Sequence, residues 1–230
     1  MNRFLSWLHQ LRKQRAIRFA WKTSDIEHFL PSLKENSIVT PKSISNHIEQ
    51  LKQWKKHNQS LDDKHISHLY GYKVESEINQ KLNSKSPLSL HEIDHVKHLD
   101  RATSYKTEHP ITVYRGYDSE HENSSFPVGS ELINHGYTST TLKKKTASAF
   151  SDGDATKKPT LFKINILPGT RSHHIDADNR HLDSSYKGIV THHINPHPHE
   201  GEVLIGRKQR FKVTNHSEDK DYKYIHLDTI

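Results

Sequence analysis

The run His197-Pro198-His199-Glu200-Gly201-Glu202 leads directly into the apolar stretch Val203-Leu204-Ile205. On an extended backbone, residues i and i+2 project from the same face. Glu200 and Glu202 would then set two carboxylates side by side. Like charges at that spacing repel each other, and the arrangement makes chemical sense where a cation belongs between the pair and a substrate. Two more polar positions sit on separate predicted strands: Arg115-Gly116, ending ITVYRG, and Ser139 within GYTSTT. A strand arginine usually faces water, and Ser-Thr runs are ordinary edge-strand chemistry. The order and context of these three elements are what raise the signal.

The elements that must position them change character along the chain. The first hundred residues read as helices joined by polar turns. Phe4, Trp7, Leu8 and Leu11 share one helical face of a strongly basic first segment. Thr40-Pro41 opens a second helix carrying Ile44, Ile48 and Leu51. Ser60 and Asp63 open a third with Ile66, Leu69 and Tyr70, which Gly71 is expected to break. Ser89 and Glu92 form a capping box for a fourth, with Ile93, Val96 and Leu99 inside.

From residue 111 the pattern becomes short β-branched and aromatic runs at 111–117, 131–141, 159–166, 201–206, 210–213 and 222–230, bounded by turn residues. Only 146–150 looks helical among them. Helices followed by strands predict an α+β fold. The polar segment 171–200 reads as a long loop, and a loop of that length inside a compact domain is usually functional.

Composition bounds the rest. The chain of 230 residues has a formal charge of +7 and a low apolar fraction of 31%, which suits an anionic partner or a well-solvated surface. It has no cysteine, which excludes disulfides and thiolate zinc sites. No stretch approaches the roughly 20 apolar residues that span a bilayer, and the first residues do not read as a standard signal peptide. Histidine is abundant, with 21 residues. His173-His174, His192-His193, His197 and His199 bring no HExxH and no Cys/His spacing, so they read as solvated loop residues and no metal is expected.

Taken together, four motifs in order resemble the mono-ADP-ribosyltransferase toxins and effectors of the arginine–serine–glutamate class, over about residues 70–230. VYRG (113–116) is similar to the first-strand arginine motif. GYTSTT (136–141) is similar to the Ser-Thr-Ser motif, with Thr141 in its third place. LFKINILPGTRSHHID (161–176) resembles the strand and turn before the dinucleotide-facing loop. EGEVLIGRKQRFKV (200–213) resembles the Glu-x-Glu motif and its hairpin.

The resemblance implies N-terminal helices followed by a two-sheet β-sandwich. It places an N-terminal helical extension at 1–60 and a catalytic domain at 61–230, with a helical lobe to about 105. It implies NAD as the donor substrate and no metal. Glu202 would stabilise the oxocarbenium-like ribose that forms as the nicotinamide bond breaks. Arg115 would pair with an NAD phosphate, Gly116 would hold the nicotinamide amide, and Ser139 would position Glu202. Thr140, Arg180, Tyr72 and Asn79 complete the implied NAD contacts. Glu200, two before the catalytic glutamate, would meet the acceptor, and a glutamate there goes with a protein arginine. His197 stands where an acceptor-loop aromatic is usual.

The reading is therefore an enzyme that transfers ADP-ribose to an arginine of a protein such as actin, a small GTPase or RNA polymerase. An NAD glycohydrolase toxin is the nearest alternative, and a non-catalytic basic nucleic-acid-binding module is one of a different class. No stretch interleaves stacking aromatics with Lys and Arg in a binding motif, so no stable nucleic-acid complex is expected. A monomer is expected, with residues 1–22 available to an anionic membrane surface. A bacterial effector, an interbacterial toxin and a phage enzyme all fit. Location follows as delivery to a target cell by a non-classical route, or host cytoplasm if phage-encoded.

Overall fold

A computed structural model describes residues 41–73, 77–117, 126–151, 158–177 and 200–230. The basic first segment, Arg180, His192, His193, His197 and His199 lie outside the described residues. The chain divides into compact units at Met1–Pro41 and Lys42–Ile230. The second holds every described strand and, but for Pro41, every described helix.

Four helices come first: α1 Pro41–Gln59, α2 Asp63–Tyr72, α3 Glu77–Ser84 and α4 Leu90–Ala102. α1 starts at the proline, where the missing N–H costs nothing. The cap of α2 is Asp62, between the two residues expected to open it; its carboxylate accepts from the His65 backbone N–H at 2.9 Å. Gly71 does not break α2. A glycine there costs about 1 kcal/mol, and burial of Leu69, Tyr70 and Tyr72 on the same helix outweighs it. α4 carries the expected capping box, with Glu92 N–H donating to Ser89 Oγ and Ser89 N–H to Glu92 Oε2. No helix among the described residues is long and apolar enough to cross a membrane.

The strands are β1 Ile111–Gly116, β2 Glu131–Asn134, β3 Thr138–Thr141, β4 Thr160–Ile166, β5 Ser172–His174, β6 Glu202–Ile205, β7 Gln209–Glu218 and β8 Lys223–Thr229, with a short helix α5 Lys144–Ser148 after β3. They form one hydrogen-bonded order, β2-β7-β8-β4-β1-β3-β6-β5. β4 and β8 are parallel and the other neighbours antiparallel. The two-sheet expectation takes the form of two halves, β2-β7-β8-β4-β1 and β3-β6-β5. A single register pair, Tyr114 opposite Thr141, joins them.

The structure departs from the sequence reading in two places. Residues 131–141, read as one run, are two strands that pair in different halves, β2 with β7 and β3 with β6. The turn between them is seized from α3: Asn83 Oδ1 accepts from Gly136 N–H at 2.9 Å and Asn79 Oδ1 from Tyr137 N–H at 2.8 Å. A Cβ on Gly136 would meet Asn79 Oδ1 at 2.6 Å and displace the amide that holds this turn. Tyr137 is then held at its far end, its hydroxyl donating to Asp100, which Arg207 grips with two nitrogens.

The second departure is that the polar segment after residue 171 contains β5, which pairs with β6. His173 and His174 are therefore fully buried, not solvated loop residues. α1 covers that edge strand: Trp54 Nε1 donates to Ser172 Oγ at 3.2 Å and its ring lies 5.9 Å from that of His174. Gln50 Oε1 accepts from the N–H groups of Glu108 and His109. The helix assigned from sequence to the extension thus closes one edge of the sheet. Trp54 is wholly buried, so Trp54→Ala is expected to lose about 3–5 kcal/mol in chemical denaturation. A loss below about 1 kcal/mol would mean that α1 is an appendage.

Candidate active site

The register of β3 on β6 sets Thr141 opposite Glu202 and Ser139 opposite Leu204. Ser139 and Glu202 are thus diagonal neighbours on one face, within side-chain reach. Ser139 Oγ donates to Glu202 Oε1 at 2.6 Å. Thr140, on the opposite face, donates its hydroxyl to the Val203 carbonyl and is buried away from that pair. Glu200 is not on the strand. Gly201 has φ +66, and β6 begins only at Glu202, so the same-face argument for two strand residues does not apply. A left-handed glycine turns the chain between the glutamates. The turn is pinned by Thr141 Oγ1 donating to the Glu200 carbonyl and Leu142 N–H to the Gly201 carbonyl.

What brings the two carboxylates together is a cation that the sequence reading missed. Lys73, the C-cap of α2, points its ammonium into the site with a side chain only 1% exposed. Its Nζ lies 2.9 Å from Asp176 Oδ1, 3.4 Å from Glu202 Oε2 and 3.7 Å from Glu200 Oε2. Asp176, in the turn after β5, also accepts through Oδ2 from the N–H groups of Gly201 at 2.5 Å and Glu202 at 3.1 Å. One buried carboxylate therefore holds both the lysine and the backbone that presents the glutamates. Two neighbouring carboxylates call for a counter-charge, but nothing local in the sequence singles out Lys73 as that cation.

The two glutamates are chemically unlike. The Glu202 side chain is 8% exposed and that of Glu200 is 31% exposed. Burial raises the Glu202 pKa above the ordinary carboxylate range. Lys73 and the Ser139 hydrogen bond oppose the shift, while Asp176 and Glu200 add to it.

The remaining expected residues gather around this centre. Arg115 is exposed on β1 and donates from Nη1 to the Ser139 carbonyl at 3.0 Å, across the joint between the sheet halves. At Gly116, an added Cβ would collide with the backbone of Ala147 and Phe150, so packing of α5 on β1 accounts for this glycine. Tyr72 is buried edge-on against Tyr137, and its hydroxyl accepts from Asn79 Nδ2 at 2.5 Å. Its pKa is raised, first by burial and next by the Glu202 charge. The structure thus brings Arg115, Ser139, Glu200, Glu202, Tyr72 and Asn79 to one region.

Comparison with known proteins gives the family of the chain. A family model described as ADP-ribosyltransferase exoenzyme matches residues 45–230. No curated protein sequence matches the chain. Among solved structures, the fold is similar to Plx2a, an ADP-ribosyltransferase toxin from Paenibacillus larvae, with TM-score 0.58 and 17% identity over 82% of this chain and 96% of that one. It is similar to the C3 exoenzyme of Clostridium limosum, with TM-score 0.56 and 18% identity over 81% and 93%. It is also similar to exoenzyme S of Pseudomonas aeruginosa, solved with human 14-3-3 beta and carba-NAD, with TM-score 0.54 and 15% identity over 89% and 88%. The serine-braced, lysine-countered glutamate on β6 thus sits in a chain that belongs to the ADP-ribosyltransferase exoenzyme family, whose toxins use NAD as substrate.

Proposed function

We propose that this enzyme transfers ADP-ribose from NAD to an arginine side chain of a protein in a cell to which it is delivered. The observation that carries the reading is the asymmetry of the two glutamates around Lys73: both lie near the ammonium, but one is buried and braced by Ser139 while the other is partly open to solvent.

The chemistry divides between them. Breaking the nicotinamide–ribose bond sends its electron pair to the ring nitrogen, which releases neutral nicotinamide and leaves positive charge on the ribose. Buried Glu202, held by the 2.6 Å bond from Ser139, places a fixed negative charge for that developing cation, and a preorganised charge needs no reorganisation during the step. Lys73 does not cancel it, because three carboxylates around one ammonium leave the cluster net negative. Arg115 supplies a guanidinium at the rim for a diphosphate. A guanidinium acceptor is protonated in water and must lose a proton to attack. In this reading Glu200 orients it and takes that proton. The Lys73 ammonium, 3.7 Å from Glu200, already sets a cation beside that carboxylate.

Glu202→Gln is expected to lower both transfer and NAD hydrolysis on the order of 10²–10³-fold with the fold intact by circular dichroism. Unchanged turnover would overturn its role. Glu200→Ala should abolish labelling of protein by labelled NAD while much of the release of nicotinamide to water remains. Equal loss of both would show that Glu200 serves Glu202 and does not select the acceptor, and modification mapped by mass spectrometry to residues other than arginine would refute the acceptor assignment.

The raised Glu202 pKa gives a pH dependence with a definite sign. The ionised carboxylate is the active form, so NAD hydrolysis should fall as pH drops through a midpoint above 4.5. Removing a neighbouring cation destabilises the carboxylate, so Lys73→Met should move that acid limb to higher pH. The variant should also lose about 3–5 kcal/mol of stability through the uncompensated buried charge it leaves. An acid limb unmoved in a folded Lys73→Met protein would show that Lys73 does not tune Glu202.

A further inference from the structure

Apart from the active site, helices α2 and α4 face each other through histidines. The rings of His68 and His98 stack in parallel, 4.4 Å apart with 3° between planes. His65 meets His98 edge-on, and His95 meets His68 in the same way. Two of the four are already engaged: His65 Nδ1 bonds Asp62 at 2.5 Å, and His95 is hydrogen-bonded to the backbone of His68. His68 and His98 each keep a buried Nδ1 without a hydrogen-bond partner. A buried polar nitrogen left so calls for an explanation, and an unseen ion is one of the standard ones.

Asp94 stands beside them, on the same face of α4 as His98 at the i, i+4 spacing. One donor atom from each of His68, Asp94 and His98 lies within 4.8 Å of the other two. We propose that these three residues bind a divalent transition-metal ion of the zinc type, clipping α2 to α4.

The donor set suits that class of ion. Imidazole and carboxylate ligate zinc at about 2.0–2.2 Å, which places tetrahedral donors roughly 3.3 Å apart. Closing from the observed spacing requires the His98 ring to turn out of its parallel stack, so that both imidazoles point a nitrogen at one ion in their ring planes. The movable partners are the outer ones, with the Asp94 side chain 32% and the His98 side chain 14% exposed, while His68 is 1% exposed and fixed by packing. Lys64, which donates to Asp94 Oδ2 at 3.0 Å, is 39% exposed and can turn to water when the ion arrives. Water takes the fourth position. The ion has no part in the NAD chemistry. It holds the helix whose last turn carries Tyr72 and Lys73, with His68 one turn before Tyr72.

The test uses the full chain without a histidine tag, stripped with a chelator and titrated with zinc against a chromophoric competitor. Thermal melting with and without zinc runs alongside. The parent should bind one zinc per chain, and zinc should raise its melting temperature. Asp94→Asn and His98→Gln, both toward the surface, should weaken binding roughly tenfold or more and remove the rise in melting temperature, with unchanged circular dichroism. A variant with His192, His193, His197 and His199 changed to Gln should bind as the parent does. Binding unchanged in both helix variants, binding lost in the loop variant, or no binding by the parent would each overturn the site.

Discussion

A lysine ammonium buried among three carboxylates organises the active end of this molecule. An isolated buried charge costs several kcal/mol, and mutual attraction offsets this only when the geometry is close and the remaining polar atoms are bonded. Both conditions hold: Asp176 lies 2.9 Å from Lys73, and its second oxygen is satisfied by two backbone N–H groups. Lys73 also caps the C-terminal end of α2, where the helix dipole favours a cation. The left-handed turn at Gly201, the start of β6 at Glu202 and the end of α2 are mutually dependent through this one cluster. Its members come from three separate regions of the chain.

That dependence explains which parts were legible in the sequence. Ser139, Glu200 and Glu202 could be picked out because strand periodicity and the Glu-x-Glu spacing are local, and the capping box of α4 is local too. Lys73 and Asp176 could not. Neither has a pattern of its own, and their meaning appears only when α2, β5 and β6 converge. The split of residues 131–141 was hidden in part for the same reason: Asn134 ties the turn locally, but Asn79 and Asn83 on a distant helix complete it. His173 and His174 read as loop residues because their polarity argued for solvent, while coverage of the edge strand by Trp54 decided otherwise.

The glutamates also show why a spacing rule can point to the right residues through the wrong geometry. The two side chains do share one cation, as side-by-side carboxylates would need. They reach it because a glycine bends the chain, not because they lie along one strand face. The bend gives each its own environment, and with that a different degree of hydration. A regular strand would have made the pair more alike.

The order of strands has a consequence for how the molecule comes into being. β8 lies between β7 and β4 and runs parallel to β4, whose residues precede it by about sixty positions. Until residues 223–229 emerge from the ribosome, β4 has one unpaired edge and β7 another, and the larger half of the sheet lacks its middle. Pairing between strands so distant in sequence is slow, and open edges of this kind invite association with other chains. A nascent chain cut short before β8 would therefore lose the interior of its sheet, although every proposed catalytic residue had already been synthesised.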